Sequence, residues 1–342
     1  MNREADVFII ARFRAAVSCI RTFFCVMCVT CCCARGSIYF FSPFLYNNGY
    51  LFYRRYAMFK ILEKREISAG VYYMKFEAPE IARNRKAGQF VIVQLDEDYG
   101  ERVPLTIADA NAEEGWVVLV FQAVGATTYK LAQKKTGDSI AAVLGPLGNP
   151  SVIEKRDGPV VVVGGGFGVA PCYPIVQALK AVGNKVIMII GARNKDLLIF
   201  VDEMKKVADE VIVMTDDGSA GRQGLVTVPL DELCKSQTPP AEVIAIGPPI
   251  MMKFAAKTTE KYNIPTVVSL NTIMIDGTGM CGGCRVTVGD ETKFVCVDGP
   301  DFDAHKVDWD NMMMRMGTFK TQEQEEFHKC KLESVLEQKA QA

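Results

Sequence analysis

From Met58 onward the chain alternates apolar and polar positions with a period of two, in short runs separated by charged turns. MFKILEKREISAGVYYMKFEAP reads this way, and FVIVQL (90–95) and WVVLVFQAV (116–124) add the β-branched and aromatic content of sheet. Several such strands over 58–150, with one short helical pattern at 128–135, predict a small antiparallel β-barrel. After Asp157-Gly158 the pattern changes. PVVVVGGG (159–166), KVIMIIGAR (185–193), DEVIVMTDDG (209–218) and the start of AEVIAIGPPIMMKFAAKTTEKY (241–262) are near-continuous apolar runs, as in strands buried on both faces. Helical stretches such as FGVAPCYPIVQALKAVG follow them and end at glycine. This alternation predicts an α/β doubly wound domain over 151–265, with its ligand at the carboxyl ends of the strands. A small cysteine-bearing module over 266–310 and a charged helical tail over 311–342 complete the chain.

Residues 1–57 do not share this texture. They hold seven arginines and no lysine, half of the cysteines and a run of aromatics. A membrane anchor needs about 20 apolar residues, whereas the cysteine-rich stretch between Arg21 and Arg35 is only 13 long. Pro43 and Asn47-Asn48-Gly49 suit a turn better than a membrane helix. The arginine-rich, acid-poor composition is compatible with a targeting peptide. The abrupt change at Met58 favours translation beginning there, and the segment is left out of the fold argument.

Composition narrows the rest. At 342 residues, 49% hydrophobic and net charge −1, the chain is long enough for two compact domains and an appendage. Its basic residues are balanced by acids and not clustered, which argues against nucleic acid. The twelve cysteines lack the spacing of a disulfide framework, so a reducing compartment, the cytoplasm, is expected.

Three stretches carry candidate chemistry. Arg102-Val103-Pro104-Leu105-Thr106 sets a cation, a rigid turn residue and a hydroxyl in one extended segment, suited to a pyrophosphate and a planar heterocycle. Gly125-Ala126-Thr127-Thr128 opens a helix whose free N–H groups suit phosphate. Alone, each reads equally as a surface arginine or a helix cap. Gly164, Gly165, Gly166 and Gly168 follow a buried strand and precede a helix, where backbone can approach a pyrophosphate, although the strict G-x-G-x-x-G spacing is absent. The third stretch is the most specific. In IDGTGMCGGCRVTVGDETKFVCVDGP (275–300), Cys281 and Cys284 form C-x2-C, and a hairpin turning at Gly289-Asp290 returns Cys296 toward them. Asp276 is the candidate fourth ligand. An iron–sulfur cluster, a zinc ion, a Cys281–Cys284 disulfide and a plain turn at Asp276 compete here; structural zinc normally closes with cysteine or histidine, and His305 and His328 lie outside the loop. A cluster beside a flavin would divide a nicotinamide's electron pair into single electrons.

Residues 58–310 resemble the ferredoxin–NADP reductase superfamily, in the branch of the dihydroorotate dehydrogenase electron-transfer subunit. AGQF (87–90), RVPLT (102–106), GATT (125–128), GPLGNP (145–150), VGGGFGVAP (163–171), TDDGSAGRQG (215–224), GPPIMM (247–252) and the cluster loop occur in family order. The resemblance implies FAD on Arg102, Pro104, Leu105, Thr106, Gly125, Thr127 and Thr128. It implies NAD(H) on Gly165, Gly166, Gly168, Asp216, Asp217 and Gly247. That branch ligates a 2Fe–2S cluster with C-x4-C-x2-C and a later cysteine; here Asp276 takes the first position. One aspartate with three cysteines is similar to the small subunit of NADH-dependent reduced ferredoxin:NADP oxidoreductase, also described as a sulfide dehydrogenase subunit. That family implies a 2Fe–2S cluster on Asp276, Cys281, Cys284 and Cys296, and a larger iron–sulfur flavoprotein partner through which ferredoxin and NADP are engaged by electron bifurcation. No general acid or base is expected, because positioning and tuning of cofactors carry such catalysis. The alternatives are the dihydroorotate dehydrogenase accessory subunit and a zinc-stabilised, non-redox binding module.

Overall fold

The computed structural model describes residues 40–45, 51–56, 59–95 and 100–341. They fall into two units, Met1–Met58 and Phe59–Ala342. In the first, β1 (Phe40–Leu45) pairs antiparallel with β2 (Leu51–Tyr56). Pro43, expected in a turn, lies within β1 opposite Tyr53. A two-stranded ribbon is all edge, so proline's missing N–H costs no central ladder bond. The turn at Asn47-Asn48-Gly49, and the expectations of an anchor, a targeting peptide or a start at Met58, lie outside the described residues. Among the described residues no helix is long and apolar enough to cross a membrane.

The second unit begins with the antiparallel sheet that the period-two pattern predicts. Its strands are β3 (Phe59–Ser68), β4 (Val71–Glu77), β5 (Phe90–Gln94), β6 (Arg102–Asn111), β7 (Trp116–Gln122), β8 (Ser139–Ile140) and β9 (Ala142–Leu147), in the order β8-β3-β4-β7-β6-β5-β9. The two edge strands are consecutive in the chain, with only Ala141 between them, so the sheet curls into a nearly closed barrel. Ile61, Met74, Phe76, Ile107, Leu119 and Phe121 fill it and are fully buried. Each such side chain contributes about 1.5–3 kcal/mol of hydrophobic stabilisation. Helices α1 (Pro79–Asn84) and α2 (Ala126–Gln133) flank the barrel.

The following sheet has the order β13-β12-β11-β10-β14-β15-β18. Its strands are β10 (Val160–Gly165), β11 (Val186–Ala192), β12 (Glu210–Thr215), β13 (Arg222–Gln223), β14 (Glu242–Ile246), β15 (Thr266–Ser269) and β18 (Asp301–Asp303). All pairings are parallel except β15 with β18. Helices α3 (Val169–Ala181), α4 (Val201–Val207), α5 (Thr227–Cys234) and α6 (Pro249–Glu260) connect the strands. β10 starts in the middle, the chain runs outward to β13, then returns to β14 on β10's other side. The strand order thus reverses between β10 and β14, the crevice where open α/β sheets hold ligands.

Between β15 and β18 the chain leaves the sheet to form a glycine-rich loop, the hairpin β16 (Arg285–Val288) and β17 (Glu291–Phe294), and the short helix α7 (Val295–Asp298). Helices α8 (Trp309–Met316) and α9 (Lys320–Gln341) follow β18. Asp301, opposite Ser269 on the rejoining strand, carries a buried carboxyl. Ser151 Oγ donates to its Oδ2 at 2.6 Å, while Oδ1 has no hydrogen-bond partner within ordinary geometry among the described residues. Burial raises its pKa.

Candidate functional site

A cavity of about 480 Å³ opens at the carboxyl ends of β10, β11, β12 and β14, walled among others by Gly165, Gly166, Arg193, Asp216 and Met251. The glycines have divided duties. Gly166 has φ +56°, and nothing stands within 4 Å of where a Cβ would lie. Its backbone is the part of the loop open to a ligand. At Gly168 a Cβ would meet the Ile246 carbonyl at 2.7 Å and Gly247 Cα at 2.8 Å. Gly168 and Gly247 therefore let the two strand ends at the switch point touch. Asp216 faces the cavity. Asp217 does not line it; its Oδ1 accepts from the Ser219 hydroxyl (2.6 Å) and backbone N–H (2.9 Å), which hold the carboxyl below its ordinary range.

A second cavity, about 100 Å³, lies beside β6, with Pro104, Thr106, Gly168, Gly247, Leu270 and Met274 in its wall. Strand alternation sends Arg102, Pro104 and Thr106 to one side of β6 and turns Leu105 into the barrel core. Leu105 thus offers a ligand its backbone rather than its side chain. β5 pairs with 102–106, whereas β7 pairs only with 107–111. One backbone edge of 102–106 therefore has no strand partner among the described residues. Arg102 is exposed and its Nε donates to Gln94 Oε1 at 3.3 Å. Gly125 caps α2, its N–H donating to Thr128 Oγ1 at 3.0 Å, while the Thr127 hydroxyl donates to the Glu101 carboxylate. The cation, hydroxyls, open backbone edge and helix start form a donor set that fits a flavin dinucleotide.

Phe167, between Gly166 and Gly168, lines both cavities and is 41% exposed. Sequence reasoning passed over it because a single aromatic within a glycine loop has no periodic signal. Thr272 lines the second cavity, and its hydroxyl donates to the Cys284 carbonyl at 3.5 Å. The cavity at the strand ends, the β6 cavity and the cysteine loop thus share walls in sequence.

The hairpin turns at Gly289, φ +63°, with Val288 opposite Glu291, and brings Cys296 to Cys284. The expected strand through Cys296 stops at Phe294; the Asp298 carboxylate accepts from Phe294 N–H at 2.6 Å, and Cys296 rides on α7. Cys284 and Cys296 are 1% and 2% exposed, with sulfurs 3.3 Å apart. Burial first, and then the Cys284 thiol, push the Cys296 thiol up to about 12. Asp276 Oδ1 accepts from Thr278 N–H at 2.8 Å and Oδ2 from Cys281 N–H at 2.7 Å, which hold its carboxyl below the ordinary range. Asp276 therefore braces the loop and sets its carboxylate beside Cys281. The four predicted donors stand as two pairs, Asp276 with Cys281 and Cys284 with Cys296, and all three cysteines are unbridged. Among the described residues no three such donors converge on one point. Two pairs fit a two-iron group better than one tetrahedral ion.

The tail reaches the other end of the site. Phe327 of α9 meets Tyr129 of α2 edge-to-face at 5.7 Å, and Lys331 Nζ lies 4.1 Å over the Phe327 ring. Gln133 Nε2 donates to Ser334 Oγ at 3.0 Å, and Cys330 is buried beside Ala126.

Comparison with known proteins follows this division. Residues 271–308 match the family described as the iron-sulfur cluster binding domain of dihydroorotate dehydrogenase B, and residues 162–257 match the oxidoreductase NAD-binding domain. The Thermotoga maritima dihydroorotate dehydrogenase B (NAD(+)), electron transfer subunit homolog is 47% identical over 268 residues, 78% of this chain and 93% of its own. The Desulforamulus reducens electron transfer subunit is 35% identical over 260 residues, 73% of this chain and 97% of its own. A solved structure of NADH-dependent reduced ferredoxin-NADP oxidoreductase superposes with a TM-score of 0.75 at 46% identity, covering 80% of this chain and 98% of that one. The cytochrome b5 reductase domain of Ulva prolifera nitrate reductase, at 19% identity and a TM-score of 0.50, shares the fold alone.

Proposed function

Because the chain belongs to the family of dihydroorotate dehydrogenase B electron-transfer subunits and their homologues, we propose that it exchanges hydride with NAD(H) through FAD and passes single electrons through a 2Fe–2S cluster to a larger flavoprotein subunit. The chain is an oxidoreductase subunit with a nicotinamide-binding domain. The observation that carries the finer reading is the row of shared walls. Phe167 joins the nucleotide cavity to the β6 cavity, and Thr272 joins that cavity to the cysteine loop.

In this reading 58–150 holds FAD, 151–265 NAD(H) and 266–310 the cluster, in a cytoplasmic heterodimer. Bound there, FAD would supply a hydride acceptor and the cluster a one-electron carrier. The residues do the positioning. The Gly166 backbone and Asp216 receive the dinucleotide, with Gly165, Gly168 and Gly247 shaping the floor and Asp217 holding the adjoining turn. Arg102, Pro104, Thr106 and the Leu105 backbone receive FAD beside the start of α2, where Gly125, Thr127 and Thr128 set the first turn. Asp276, Cys281, Cys284 and Cys296 supply the cluster's donors. No general acid or base is assigned.

The solved homologue favours the NADH-dependent ferredoxin–NADP reaction, with ferredoxin and NADP engaged through the large subunit. The match of 271–308 to the dihydroorotate dehydrogenase B family supports a second reading, the same conduit serving a dihydroorotate-oxidising partner. Mixing the anaerobic protein with NADH and NADPH separately, while following flavin bleaching and the reduced 2Fe–2S EPR signal, tests the conduit. Fast bleaching by NADH followed by the EPR signal is expected; a colourless protein indifferent to both nucleotides overturns the proposal and favours a zinc-stabilised module. Co-purification with each candidate large subunit separates the two readings.

A further inference from the structure

The segment after the cluster loop sends a charge back into it. Two carbonyls lie inside the C-x2-C turn, those of Gly282 and Gly283, and each accepts from a different arginine. Arg285, the first residue of β16, donates from Nη1 to Gly282 O at 3.1 Å. Arg315, in the last turn of α8, donates from Nη2 to Gly283 O at 3.2 Å across 32 residues. Both guanidiniums also wall a cavity of about 260 Å³ between the loop and α8, with Thr272, Ile275, Met312 and Phe319. Among the described residues neither arginine forms an ion pair, although arginines 65, 83, 85, 156 and 222 all do. Arg315 is partly buried and Arg285 exposed.

We infer that Arg285 and Arg315 form a cationic brace under the cysteine turn, fixing its carbonyls and raising the reduction potential of the 2Fe–2S group it holds. The inference rests on the proposed function for the presence of that group. Each electron gained adds one negative charge to the loop, and a fixed positive charge nearby stabilises that state over the oxidised one. The electron comes from NADH by way of FAD, so no further reductant is needed. Arg315 acts more strongly, because Arg285 is screened by solvent. Both are positioning residues. The brace also gives α8 a function that the sequence of the tail does not announce.

The test uses the full chain purified anaerobically with its cofactors, with midpoint potentials from an EPR-monitored redox titration and iron content measured in parallel. Arg315→Gln keeps hydrogen-bond donors but not charge. It is expected to shift the reduction equilibrium about tenfold toward the oxidised form, about 59 mV for a one-electron couple. Arg285→Gln shifts it in the same direction by less, and Arg315→Lys stays close to the parent. Unchanged midpoints in both glutamine variants overturn the inference. So does an equal shift in Arg315→Gln and Arg315→Lys, which would mark loop distortion rather than charge. If Arg315→Gln loses its iron, the midpoint of Arg285→Gln measured at the parent's iron content decides the question: a shift toward the oxidised form supports the inference and an unchanged midpoint overturns it. A parent protein with no 2Fe–2S signal overturns the underlying function, whereas a normal parent signal with immobile potentials overturns this inference alone.

Discussion

The sulfurs of Cys284 and Cys296 stand 3.3 Å apart in a nearly water-free pocket, brought together across twelve residues by a four-rung hairpin and one turn of helix. They make the buried pair of the proposed ligand set. Cys284→Ser or Cys296→Ser should therefore abolish the reduced-cluster EPR signal and at least halve iron content, while FAD and NADH still bind at the other cavities. Retention of a full signal in either variant would remove that thiol from the cluster.

Gly166 and Gly168 should respond differently to alanine. At Gly168 the new Cβ meets backbone atoms at 2.7 and 2.8 Å that have no side-chain freedom to yield. Gly168→Ala should cost about 1–3 kcal/mol of stability, seen in thermal unfolding. Gly166→Ala has open space but a left-handed backbone, costing about 1–2 kcal/mol. Its distinguishing effect should be weaker NADH binding by titration, because the methyl projects into the nucleotide cavity.

Asp301 gives the protein a stability that falls with pH. Burial raises its folded-state pKa above the unfolded carboxylate value of about 3.9. The unfolded chain sheds this proton first, so the native state holds more protons and stability drops as pH climbs from the unfolded to the folded pKa. Asp301→Asn should raise Tm at pH 7 by on the order of 2 °C. The gain should vanish below about pH 4, where both carboxyls are protonated. Thermal unfolding at several pH values checks this, and a gain that persists in acid would point to packing instead.

If α2 holds FAD as proposed, the contact of α9 with α2 should tie the tail to flavin retention. Phe327→Ala removes an edge-to-face pair with Tyr129 worth about 0.5–1.5 kcal/mol. A chain ending at Phe319 loses this pair together with the Gln133–Ser334 bond and the buried Cys330. Its flavin-to-protein ratio after desalting should fall well below that of the full chain, with Phe327→Ala between the two. Equal ratios would make α9 irrelevant to the FAD end.

The parts written locally were legible in the sequence. The β10 apolar run ends in glycines because a buried strand meets a ligand loop there, and the cysteine spacing is closed by a hairpin whose turn residues are adjacent in the text. Cys296 fell on a helical turn rather than a strand because an Asp298 side-chain bond, invisible to a period-two pattern, outweighs the extended preference of Phe294-Val295. Phe167 acquires its place only when the barrel and the α/β sheet close on it from both sides. Arg315 and Phe327 gain theirs through packing against residues 32 and 198 positions away, beyond any local pattern. The β18 return strand, three residues long, is too short to show a period.

Ser269 and Asp301 are neighbours on one antiparallel rung, so everything from 270 to 300 leaves and re-enters the sheet through a single doorway. The whole excursion behaves as a cartridge. Its length and payload can vary without altering the order of the strands, because the chain ends that carry it never separate. The doorway strand β15 is hydrogen-bonded to β14 and so lies one strand from the crevice between β14 and β10.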